Sequence, residues 1–164
     1  MKEVYLLLGS NEGDRQANLS KASALIELRC GQIICASSIY ETEAWGLKEQ
    51  NAFLNQALAI QTSLTAYTLL TTLKEIERET GRTETVKWGP RVIDIDILFY
   101  SSDIVELPEL KIPHPFLHQR RFTLTPLNEI AEDYVHPVQH KTINTLLAEC
   151  SDESEVNQIL NSKF

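Results

Sequence analysis

One stretch limits the possible folds more than any other: Lys87-Trp88-Gly89-Pro90-Arg91-Val92-Ile93-Asp94-Ile95-Asp96-Ile97-Leu98-Phe99-Tyr100. Its first part is loop, with the cations Lys87 and Arg91 around the backbone punctuators Gly89 and Pro90. From Val92 onward it is rich in β-branched and aromatic residues and predicts a strand. Side chains alternate along a strand, so Ile93, Ile95, Ile97 and Phe99 share one face and Asp94 and Asp96 the other. The apolar face requires a packed core beneath a sheet. The opposite face carries carboxylates on Cα atoms about 6–7 Å apart, close enough to share cations.

A wet sheet face would accommodate Asp94 and Asp96 without any function. Against that, Asp is depleted in strands, and like charges on one face repel unless something neutralises them. A hard divalent cation such as Mg²⁺ does so, because it takes carboxylate oxygens and keeps room for waters and phosphates. Arg91, three residues before Asp94, fits a site where phosphate oxygens lie between guanidinium and metal.

At 164 residues with 43% hydrophobic content the chain is expected to form one domain with a real core. No apolar run reaches transmembrane length, and Met1-Lys2-Glu3 begins no signal peptide, so a cytoplasmic location is expected. Cys30, Cys35 and Cys150 have no C-x-x-C spacing and read as buried or half-buried thiols. A net charge of −8 argues against a nucleic-acid partner. Yet Lys74, Arg78, Arg82, Lys87 and Arg91 cluster, and Arg120-Arg121 form a second focus, as suits a small anionic ligand on an acidic protein.

In chain order, Val4–Leu8 predicts a buried strand ended by Gly9-Ser10-Asn11, and Asp14 an N-cap for a helix over 15–29, with Gly31 as C-cap. Residues 33–40 read as one strand. Trp45 lies in the polar connection that follows, where ligands are often read. The strand over 53–61 sets Phe53 beside Asn55, an aromatic plane next to an amide that donates and accepts; the pair suits a flat heterocycle or a half-exposed strand face. Thr65 caps a helix to about Thr80, stopped by Gly81. On it, Lys74 and Glu77 either border a pocket or form an i, i+3 surface pair. Residues 82–91 form a long loop. Further on come a short strand near Ile104–Glu106, His114 held between Pro113 and Pro115, a short turn of helix near Thr125–Leu127, and weak helical patterns over 142–150 and 155–161. The β-α-β-β-α-β order, with helices on one side of a mainly antiparallel sheet, is the ferredoxin-like α+β pattern.

Together these residues resemble the 6-hydroxymethyl-7,8-dihydropterin pyrophosphokinases. That family's signature is a basic residue, any residue, a small residue, Pro-Arg, two spacers, then Asp-aliphatic-Asp-aliphatic-aliphatic, which Lys87 through Leu98 satisfies throughout. Further matches are Gly9-Ser10-Asn11, Phe53-Leu54-Asn55, Glu77, Gly81-Arg82, Ile112-Pro113-His114, and Arg120 with Phe122. The resemblance implies a single pyrophosphokinase domain over 1–164, a ferredoxin-like αβ sandwich, acting as a monofunctional monomer on small molecules, without nucleic acid or membrane. It implies transfer of the terminal diphosphate of ATP to the pterin hydroxymethyl group, releasing AMP, by in-line displacement with two Mg²⁺ ions. Asp94 and Asp96 would hold the metal; Arg82 and Arg91 would clamp phosphates; His114 and Arg120 would donate to the triphosphate. Leu70, Lys74, Glu77, Trp88 and Ile97 would surround the nucleotide. For the pterin, Phe53 and Phe122 would stack on the ring, while Asn55, Thr42 and Trp45 would read its edges and Asp94 would lie by its hydroxyl. The chain departs from the pattern at Lys74, Glu84, Pro115 and Phe116.

Two other classes fit part of the pattern. A different Mg²⁺-dependent nucleotide enzyme shares the carboxylates and arginines but gives no reason for Phe53, Asn55 and Phe122 together. An RNA-binding module shares the fold, but the acidic balance speaks against it.

Overall fold

The computed structural model describes residues 1–44, 49–83 and 89–160. The elements are β1 (Lys2–Ser10), α1 (Arg15–Arg29), β2 (Gln32–Ala36), β3 (Ile39–Thr42), β4 (Phe53–Thr62), α2 (Ala66–Thr80) and β5 (Asp94–Tyr100). They continue with β6 (Val105–Leu107), β7 (Leu110–Ile112), a 3-10 turn (Leu117–Gln119), α3 (Arg121–Ala131), α4 (Ile143–Glu149) and β8 (Val156–Leu160). The main sheet runs β5-β1-β4-β3-β8, with β2 also on β4, and β6 and β7 form a separate hairpin. Among the described residues every strand pairing is antiparallel.

β1 is buried from Val4 to Ser10, so both of its faces need cover. Val4, Leu6 and Leu8 pack with Leu19 and Ile26 of α1 and Leu69, Leu73 and Ile76 of α2. Tyr5 and Leu7 face the other way, onto Leu124 and Leu127 of α3 and Ile143 and Leu146 of α4. The ferredoxin-like order is present, but helices cover both faces instead of one. Among the described residues, no helix is long and apolar enough to cross a membrane.

Helix ends follow the local chemistry. Asp14 accepts from the Ala17 N–H and Thr65 from the Thr68 N–H, and Gly81 closes α2 in the left-handed conformation at φ 119°. At α1 the cap is Cys30 instead of the expected Gly31. Gly31, at φ 152°, is required for a different reason: a Cβ there would lie 2.0 Å from the Gln61 carbonyl oxygen.

Four expectations fail for tertiary reasons. The strand over 33–40 is broken at Ser37-Ser38, where the Ser37 hydroxyl accepts from the Ala57 N–H and Glu129 of α3 takes the Ser38 N–H and the Tyr40 hydroxyl. Phe99 does not share a face with the isoleucines. Tyr5 pairs with Phe99 but Leu6 with Ile97, so Leu98 is an extra residue that reverses the alternation beyond it. Phe99 therefore packs on Tyr134, with ring centroids 4.5 Å apart, while Tyr100 joins the α1–α2 core. Residues 156–160 form β8 on β3, not a helix, and α3 is an eleven-residue helix instead of a short turn.

Candidate active site

The bulge lies beyond Ile97, so it leaves Asp94 and Asp96 on the α3 side of the sheet, opposite Gly9 and Leu7 of β1. Gly9 in turn pairs with Asn55 of β4, and Phe53 pairs with Thr42 of β3. The ends of these strands and the start of α3 form an open cleft. Thr42, Phe53, Asn55 and Phe122 line it together with Arg91, Asp94, Asp96 and Arg120. Gly9 makes room for the amide, since a Cβ there would stand 3.0 Å from Asn55 Oδ1. Asn55 is buried and donates through Nδ2 to Thr42 Oγ1 at 3.1 Å.

A second cleft, on the other side of the same carboxylates, is lined by Leu70, Lys74, Glu77, Arg82, Ile97 and His114 as well as Asp94 and Asp96. Thus the carboxylate pair is the wall common to an aromatic cleft and a charged one. Trp45, Trp88 and Glu84 lie outside the described residues. Lys74 is exposed and Glu77 is buried, so the surface pair envisaged for them is not made. Glu77 turns inward, where its Oε2 accepts from the Ile95 N–H at 2.8 Å and from Arg82 Nη1 at 2.7 Å.

Charge is dense here. Arg82 Nη1 also reaches Asp94 Oδ1 at 2.9 Å, and Arg91 Nη1 reaches Asp94 Oδ2 at 3.1 Å. Burial first, then Asp94, raises the Glu77 carboxyl above its usual range, against the pull of Arg82 and the Ile95 N–H. Asp96 is pushed up to about 8 by burial, then by Asp94 and Glu77, with Arg120 and Arg91 opposing. A third of its side chain (33%) still meets solvent, leaving an open side for a cation to approach. Two hard oxygen-donor groups, one of them short of positive charge, fit a divalent cation such as Mg²⁺ whose other ligands are phosphates and waters.

His114 and Arg120 complete the rim. Burial, then Arg120, holds the His114 imidazole down to about 4, with Asp94 opposing. Its Nδ1 accepts from the Phe116 N–H at 3.2 Å, so the neutral ring carries its proton on Nε2, which lies 3.9 Å from Asp96 Oδ2. Arg120 is buried, which lowers its pKa, while Asp96 and then Asp94 hold it up. Its guanidinium lies over Phe116 at 5.0 Å and over Phe122 at 5.6 Å. Among the described residues Arg91 Nε is buried without a hydrogen-bond partner, a donor left for a ligand oxygen. The sequence marked Phe116 only as a departure from the family pattern, and Asn11 only as part of the Gly9-Ser10-Asn11 turn and family match; neither sits in a periodic pattern that reveals what its side chain meets.

The profile of the 7,8-dihydro-6-hydroxymethylpterin-pyrophosphokinase family matches residues 5–132. A 2-amino-4-hydroxy-6-hydroxymethyldihydropteridine pyrophosphokinase of Aquifex aeolicus is 46% identical over 87% of this chain and 89% of its own length. Its namesake from Methylorubrum extorquens is 41% identical over 97% of this chain and 99% of its own. The crystal structure of wild-type Plasmodium falciparum HPPK-DHPS superposes on 90% of this chain with a TM-score of 0.72 at 18% identity, a likeness of fold. This chain spans 44% of that longer one. On the profile match and these two relatives, the chain belongs to the 7,8-dihydro-6-hydroxymethylpterin-pyrophosphokinase family.

Proposed function

We propose that this chain transfers the terminal diphosphate of ATP to the hydroxymethyl oxygen of 6-hydroxymethyl-7,8-dihydropterin, giving AMP and the pterin diphosphate for folate biosynthesis. One observation carries the reading: Asp94 and Asp96 are shared by a cleft walled with Phe53, Phe122 and Asn55 and by a cleft bearing Arg82 and His114. A flat ring with donors and acceptors on its edge suits the first, and a triphosphate suits the second.

In this reading Phe53 and Phe122 stack on the pterin, and Asn55, oriented by its bond to Thr42, reads the ring edge. Arg91, Arg120 and the Nε2–H of His114 donate to phosphate oxygens. A neutral imidazole donates without adding a mobile proton near the leaving group. Arg82, which bonds Asp94 in the ligand-free chain, would turn its guanidinium to the phosphates, where charge develops in the transition state. Leu70 and Ile97 pack on the nucleotide, while Glu77 and Lys74 lie beside it. Mg²⁺, two ions by family resemblance, would be held by Asp94 and Asp96, and supplies charge neutralisation of the phosphates and a lowered pKa for the attacking hydroxyl.

The test is incubation with Mg²⁺, ATP and 6-hydroxymethyl-7,8-dihydropterin, followed by separation of the nucleotides. AMP formed only when the pterin is present supports the reading. ADP as the product instead would replace pyrophosphoryl with phosphoryl transfer, and absence of turnover would refute an enzymatic role for these substrates.

A further inference from the structure

Asn11 follows β1 and is 1% exposed, outside both clefts. It nevertheless ties together segments that are far apart in sequence. Its backbone N–H donates to the Arg91 carbonyl at 3.0 Å, and its Oδ1 accepts from the Arg91 N–H at 2.7 Å. Its Nδ2 donates to Gln50 Oε1 at 3.0 Å and to the Asn51 carbonyl at 3.1 Å. An amide has one acceptor oxygen and two donor hydrogens, and this one has all three engaged. Serine, threonine or aspartate in its place could not make the same set of bonds, because none of them combines that acceptor with two donors.

What it ties is the point of interest. Arg91 carries the guanidinium that bonds Asp94 and has a spare buried Nε. Gln50 and Asn51 lead directly into Phe53 and Asn55, the wall of the aromatic cleft. Arg15 braces the same segment from α1, its Nη1 donating to the Ala52 carbonyl at 2.9 Å and to Glu41 Oε2 at 2.7 Å. One buried side chain therefore sets the distance between the residue proposed to hold phosphate and the segment proposed to hold the pterin.

We propose that Asn11 is a positioning residue for the transfer: it holds Arg91 in register with the 50–55 segment, so that donor phosphorus and acceptor hydroxyl meet. This rests on the pyrophosphokinase reading above. Misplacement of bound reactants by about 1 Å can cost about a hundredfold in rate without weakening the binding of either. A residue that acts through register is expected to affect kcat, whereas one that merely supports a pocket wall affects the affinity of that pocket's ligand.

The test uses Asn11→Asp, which keeps the shape and the acceptor for the Arg91 N–H but removes the two donors, and Asn11→Ala, which removes the whole side-chain tie. For each, kcat is measured alongside the dissociation constants of the pterin alone and of a non-hydrolysable ATP analogue with Mg²⁺. The expected result is a fall in kcat of at least about tenfold in both variants, with either binary dissociation constant changed by less than about threefold. Unchanged kcat in a folded variant overturns the proposal, as does a loss confined to the affinity of one ligand. Should neither variant melt cooperatively, Gln50→Met, at a half-buried loop position, deletes one acceptor of the tie; a lower kcat at unaltered affinities supports the proposal and an unaltered kcat overturns it. Absence of turnover in the unsubstituted chain would instead bring down the pyrophosphokinase reading itself.

Discussion

Arg82 Nη1 stands 2.9 Å from Asp94 Oδ1, on one of the carboxylates proposed to receive Mg²⁺, and the same nitrogen bonds the buried Glu77. A guanidinium here does for the ligand-free site what a metal does for the loaded one: it offsets the repulsion among Glu77, Asp94 and Asp96.

Removing that cation exposes the repulsion. Arg82→Ala is expected to destabilise the metal-free protein by about 1–3 kcal/mol, since it leaves Glu77 with the Ile95 N–H but without its charged partner. Added Mg²⁺ then raises the melting temperature of the variant more than that of the parent. Thermal melts with and without the ion check this; an equal shift in both proteins would show that Arg82 and the metal do not share a site.

Asp96→Ala acts in the opposite sense on stability. A carboxyl held up to about 8 by burial and by Asp94 and Glu77 is no asset to the fold. The variant is expected to melt at or above the parent temperature without metal, yet lose Mg²⁺-dependent AMP formation by about a hundredfold or more. Full activity would remove Asp96 from the metal site.

Phe122→Ala separates the clefts. Phe122 lines the aromatic cleft and also lies under Arg120, so the substitution removes a stacking face worth about 0.5–1.5 kcal/mol beyond its buried area. Pterin affinity is expected to fall far more than nucleotide affinity. Calorimetric titration with each ligand decides, and equal losses would contradict the stacking role.

His136, outside the site, is expected to contribute to the acid sensitivity of the fold. It is 3% exposed, and burial, then His118 and His140, holds it down to about 4 from the ordinary 6.5. Its Nδ1 accepts from the Val138 and Gln139 N–H groups, so the folded ring is neutral. Between pH 6.5 and 4 the unfolded chain takes up a proton that the folded chain refuses, and stability falls as pH drops. His136→Asn keeps an acceptor for the loop and is expected to flatten the slope of unfolding free energy by up to about 1.4 kcal/mol per pH unit in that window. Urea titrations across it, parent against variant, cancel the parallel contribution of His114.

Local chemistry made much of this protein legible in advance. The Asp14 and Thr65 caps, the Gly81 stop and the strand alternation of Ile93 through Ile97 depend on neighbours a few residues away, and all appear as expected. The same alternation put Asp94 and Asp96 on one face, next to basic residues whose spacing matched a family signature. Phe99 escaped because a single extra residue, Leu98, opposes β1, and a period of two is reversed by one insertion. Residues 156–160 escaped because a five-residue segment has no decisive period; pairing with β3 settles it. Glu77 could be read as a surface partner of Lys74 until β5 presented the Ile95 N–H to it. Sequence by itself determined which residues are the candidates for the chemistry, since composition and spacing are properties of the chain. Only the tertiary structure decided what they meet: that Asp94 and Asp96 are common to two clefts, that Phe116 lies under Arg120, and that Asn11 spans from Gln50 to Arg91. The cleft walls and the Asn11 tie join residues tens of positions apart, and the sheet with helices packed on both of its faces brings them together.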